Sequence, residues 1–97
     1  MTREEFNKRM NGVEKVENYD EIRRHLREKS TGERDLAVCL GELNELAIEL
    51  TRYMRGKMNE DDFLQELSHV QWTVWRLQDM FGVSDEKLRR AVQASFR

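Results

Sequence analysis

The chain has 97 residues, enough for one domain near the lower end of the size range in which a single hydrophobic core supports independent folding, so oligomerisation is expected. Charged residues make up 37% of it, but 17 basic side chains stand against 19 acidic ones, a balance that argues against direct nucleic-acid or anionic-membrane binding and leaves any phosphate recognition to local clusters. The lone cysteine, Cys39, excludes an intramolecular disulfide framework and a Cys-rich zinc site; with no signal peptide and no apolar run of membrane-spanning length, a cytoplasmic setting is expected.

The pattern is helical throughout, with no proline and glycines at 12, 32, 41, 56 and 82. Thr2 and Glu5 form a capping box ahead of Phe6 and Met10, and a turn is expected around Gly12. Tyr19, Ile22 and Leu26 suggest a second short helix over 18–29. From about Glu33 to Arg55, Leu36, Leu40, Leu43, Ala47, Leu50 and Met54 recur three and four apart in one continuous stripe, and Gly56 is placed to end that helix. Asn59 caps the next helix, with Glu60, Asp61 and Asp62 in its first turn; Phe63, Leu67, Val70, Val74 and Leu77 carry its stripe toward Phe81. Gly82 ends it, and Ser84 caps a last helix bearing Leu88, Ala91 and Val92. The expectation is an all-α bundle of four to five helices in a single domain over 1–97, with two long antiparallel helices at its centre, a helical arm over 1–30 and the chemistry within 31–97. Cys39 reads as a small core residue.

Glu42, Glu45 and Glu49 share one face of the first long helix. Three stacked carboxylates repel one another unless a cation neutralises them, and oxygen clusters of this kind suit Mg²⁺ or Mn²⁺. On the second long helix Glu66 and His69 share a face by the same spacing, and antiparallel packing across Gly56 places them opposite Glu42 and Glu45. In so charged a chain, an ordinary solvated helix face explains either pair by itself. Arg52, Arg55 and Lys57 at the end of the first long helix suit phosphate oxygens or, equally, the helix dipole. Trp72 and Trp75, read as lying on a different face from Glu66 and His69, suit an interface better than a nucleobase platform.

The run 41–47 (Gly-Glu-Leu-Asn-Glu-Leu-Ala), then Tyr53-Met54-Arg55-Gly56-Lys57, then 65–70 (Gln-Glu-Leu-Ser-His-Val), then Met80-Phe81-Gly82-Val83-Ser84, resembles the MazG-like all-α nucleotide pyrophosphohydrolases, which carry Glu-x-x-Glu, a variable spacer and Glu-x-x-Asp. The resemblance spans about Leu36 to Arg97. It implies a MazG-like helical bundle that forms homodimers or homotetramers and uses Mg²⁺ to hydrolyse a nucleoside triphosphate to monophosphate and pyrophosphate. Glu42, Glu45 and Glu66 match the family's metal-binding acids, with Glu45 and Glu49 the candidates for proton transfer and Arg55 and Lys57 for phosphate contact. His69 stands where the pattern has Asp. An imidazole there favours Mn²⁺ over Mg²⁺ or removes catalysis, leaving a degenerate module that binds nucleotide or a protein partner.

Overall fold

A computed structural model describes residues 2–13, 18–29 and 33–96, with the side chains of 33 and 34 excepted. The described residues form five helices: α1 (Arg3–Asn11), α2 (Tyr19–Glu28), α3 (Glu33–Met54), α4 (Glu60–Phe81) and α5 (Asp85–Ser95). The all-α expectation holds, and the two 22-residue helices form the centre. Gly32, one of the expected joints, lies outside the described residues.

The helix boundaries follow from local chemistry. The Thr2, Asn18, Asn59 and Ser84 side chains each accept a backbone N–H from the first turn of α1, α2, α4 and α5 respectively. At the end of α3, Gly56 sits at φ 68°, its N–H donates to Tyr53 and that of Lys57 donates to Arg52. Gly82, at φ 67°, ends α4 in the same left-handed conformation, with Gly82 and Val83 both donating to the Gln78 carbonyl. These two turns need φ values that cost a side-chain-bearing residue roughly 1 kcal/mol or more, which is why glycine occupies both.

The hub is α4, on which α3, α2 and α1 all pack. Two cross-links fix the α3/α4 register: Asp35 meets Arg76 at 3.2 Å, and Glu42, seven residues on, meets His69, seven residues back, at 2.8 Å. The helices are therefore antiparallel, as the short joint requires. Their seam is polar. Asp35, Cys39, Glu42 and Glu49 line it from α3; Glu66, His69, Thr73 and Arg76 line it from α4, with Asp35, Cys39, Glu49 and Thr73 buried. The leucine stripe of α3 does not enter the seam: Leu36, Leu40, Leu43, Leu50 and Met54 are all exposed. Among the described residues, Cys39 and Trp75 are the only buried hydrophobic side chains.

Trp75 faces α2, where Tyr19 lies 4.8 Å away between ring centroids and the Arg23 guanidinium lies 5.6 Å from its ring. Arg23 also donates to Asp85, whose other carboxylate oxygen accepts from Gln78. One buried indole thus joins α2 to α4, and one carboxylate joins the start of α5 to both. None of the described helices is long and apolar enough to cross a membrane.

Candidate metal centre

The two long helices bring Glu42, Glu66 and His69 together midway along the seam. One ligand-type atom from each lies within 4.8 Å of the others, the only such group of three among the described residues. The helix spacing explains the set: Glu66 and His69 are three apart on α4, and the register fixed by Asp35–Arg76 places Glu42 against them. His69 Nδ1 is 2.8 Å from Glu42 Oε2 and 3.7 Å from Glu66 Oε2. The first distance is a hydrogen bond; the second is too long for one, and Glu66 Oε2 is buried without a partner.

That orphaned oxygen is informative. Burial pushes the Glu66 carboxyl above its usual range, and the negative fields of Glu42, Glu45 and Glu49 push the same way, against the opposing pull of His69. A desolvated carboxylate with a partnerless oxygen and two further donor side chains close by is a donor set that could hold a divalent cation. Two carboxylates and an imidazole suit a borderline divalent ion such as Mn²⁺ better than Mg²⁺, which favours an all-oxygen shell.

The electrostatics give a prediction with a definite sign. A carboxyl whose pKa is raised on folding opposes folding where it is ionised: the cost is full above its folded pKa and vanishes below its unfolded one. In metal-free protein at neutral pH, Glu66→Gln is therefore expected to raise the melting temperature, with the gain shrinking to nothing as pH falls through the carboxylate range. Thermal melts across pH in a chelator check it, and an unchanged or lower melting temperature at neutral pH would show that the Glu66 charge is already compensated.

The other sequence candidates are placed differently. Glu45 is exposed and outside the group of three, although its charge reaches Glu66. Glu49 is buried, 5% exposed in its side chain; one oxygen accepts from Arg52 and the other is orphaned. Arg55 and Lys57 are exposed at the α3–α4 turn, and Arg55 lies thirteen residues, about 20 Å of helix rise, beyond Glu42. Trp72 corrects the reading of the helical faces: its ring lies 5.7 Å from that of His69, so it flanks the acidic group. Trp75, three residues on, is buried against α2 within the same chain. Cys39 is 1% exposed and burial pushes its thiol up, which suits a packed side chain and not a nucleophile.

The contact that sequence reasoning missed is the Asp35–Arg76 pair. Arg76 lies 5.1 Å from the Trp72 ring, so the indole is held between Arg76 and His69 and links the ion pair to the acidic group. Its signal was present, since Asp35 precedes Glu42 by seven and Arg76 follows His69 by seven. Searches of protein-family models, curated proteins and solved structures find no match to this chain.

Proposed function

We propose that the chain is a metal-dependent nucleoside triphosphate pyrophosphohydrolase of the MazG-like kind, working as a homo-oligomer in the cytoplasm. The observation that carries the reading is the convergence of Glu42, Glu66 and His69, which come from the two motifs that resemble the family's and meet across one seam. A divalent cation held there supplies the positive charge that draws triphosphate oxygens to an acidic surface and acidifies a nearby water. The reaction is addition of water across a phosphoanhydride, giving a nucleoside monophosphate and pyrophosphate. Glu49, buried beside Glu66's field with an orphaned oxygen, is the better placed of the two candidate bases; Glu45 faces solvent. Arg55 and Lys57 serve as steering charges at the turn, since their distance along α3 separates them from the ion.

A second reading rests on one contact. His69 Nδ1 lies 2.8 Å from Glu42 Oε2, so the imidazole takes, from within the chain, the place beside Glu42 that a metal ion would otherwise occupy. In that reading the module binds nucleotide or a protein partner and hydrolyses nothing.

Pyrophosphate release from a panel of nucleoside triphosphates, with Mg²⁺ and Mn²⁺ in parallel, separates the two on wild type and His69→Asp. Release by wild type with Mn²⁺ exceeding Mg²⁺ supports the enzyme. Release only after His69→Asp supports the degenerate module, and no release from either protein would overturn the pyrophosphohydrolase assignment.

A further inference from the structure

Where α2, α4 and α5 meet, they leave a cleft of about 310 Å³, at the small end of the roughly 300–1,000 Å³ typical of ligand pockets. Neither α3 nor any member of the acidic group lines it. Its apolar wall is Tyr19, Val74, Trp75 and Leu88, and Tyr19 and Val74 also border an adjoining cleft of about 400 Å³ that lies over Leu67 and Val70. Four charged side chains line the first cleft, two of each sign. Arg23 and Asp85 neutralise each other at 2.7 Å. Asp20 and Arg89 do not. Both are exposed, and among the described residues neither side chain makes a hydrogen bond or an ion pair, with the other or with anything else. Their charges still act at this site, since that of Asp20 reaches Arg23 and that of Arg89 reaches Asp85. A carboxylate from α2 and a guanidinium from α5 thus border one apolar cleft without touching.

We propose that this cleft binds a small zwitterion with an apolar side chain, a free amino acid of the phenylalanine or tryptophan type, its ammonium on Asp20, its carboxylate on Arg89 and its side chain against Tyr19 and Val74. The balance of charge selects this class. An anion held by Arg89 meets Asp20 and Asp85 as like charges, and a cation held by Asp20 meets Arg23 and Arg89. An uncharged ring leaves both free charges unused. A zwitterion answers each with its opposite, and a carboxylate offers the guanidinium two parallel hydrogen bonds. The wall selects the side chain. Tyr19 packs on Trp75 yet remains 58% exposed, so part of its ring is open to an aromatic or aliphatic ligand, and the adjoining cleft over Leu67 and Val70 gives a larger side chain room to extend. A ligand seated in this way ties the start of α2 to α5 through their side chains.

The site is independent of the proposed hydrolysis, and it is tested on the full chain in chelator, without nucleotide. Titration calorimetry with L-phenylalanine and L-tryptophan is expected to give a dissociation constant below about 1 mM for at least one of them. Phenylalaninamide, which lacks the carboxylate, and N-acetylphenylalanine, which lacks the ammonium, are each expected to bind at least about tenfold more weakly than phenylalanine, the usual consequence of losing one charged hydrogen bond. Asp20→Asn and Arg89→Gln are expected to weaken the amino acid by a similar factor, while Arg90→Gln, next along α5 and outside the cleft, leaves it within about twofold. No binding of either amino acid at about 10 mM overturns the proposal, as does binding that survives the loss of either ligand charge. Adenosine bound more tightly than both amino acids, with no change in Arg89→Gln, makes the cleft a site for uncharged rings and likewise overturns it. Should Asp20→Asn fail to fold, the two phenylalanine derivatives and Arg89→Gln decide the matter on their own.

Discussion

On the proposed function, Glu42→Ala is expected to abolish measurable binding of Mn²⁺ and, with it, pyrophosphate release, while Glu45→Ala leaves metal affinity within about threefold of wild type. Glu42 supplies one of the three converging donors and accepts the hydrogen bond that orients the His69 ring. Losing an outer partner that merely orients a ligand costs a metal site about 10–100-fold in affinity, and here ligand and orienting partner are lost together. Glu45 points to solvent and acts on the centre only through its field. Titration calorimetry with Mn²⁺ measures both variants. Equal losses at the two positions would move the centre outward along α3 and remove His69 from it.

Trp75→Ala is expected to destabilise the protein by about 3–5 kcal/mol, the usual cost of truncating a buried large aromatic side chain. Trp75 is one of the two buried hydrophobic side chains among the described residues and the contact on which Tyr19 and Arg23 settle. Its removal takes away the platform for α2 and strands Arg23, which also reaches Asp85 at the start of α5. Denaturant unfolding at one fixed protein concentration gives the number, and a loss below about 1 kcal/mol would mean that α2 is held by its surface ion pairs instead. Trp72→Ala is the informative control, because Trp72 flanks the acidic group and leaves the α2 contact intact.

Helix positions were legible in the sequence because punctuation is local: Asn59, Gly82 and Ser84 act on neighbours within a few residues, and each does in the structure what its side chain or its lack of one permits. The proximity of Glu66 to His69 was legible for a related reason, since a spacing of three on one helix survives any packing. Which face turns inward was not. A leucine stripe ordinarily marks the buried side of a helix, but the sequence does not say whether the side is buried by its own chain or by another, and here Asp35, Glu42 and Glu49 face α4 while the leucines look outward. Glu42 and Glu45 carried equal weight in the pattern; only the register set by Arg76 and His69 against α3 separates them.

Helix α1 has no buried residue, and what fastens it to α4 is Arg3 gripping the Asp62 carboxylate at 2.7 and 3.0 Å and Asn7 donating to Asp61 at 3.2 Å. Solvent-exposed contacts of this sort contribute little individually and weaken with ionic strength. Helix α1 is therefore expected to form a separately exchanging unit: in salt, its amides should lose hydrogen-exchange protection while those of α4 keep theirs, so the arm can come and go without disturbing the register that assembles the acidic centre.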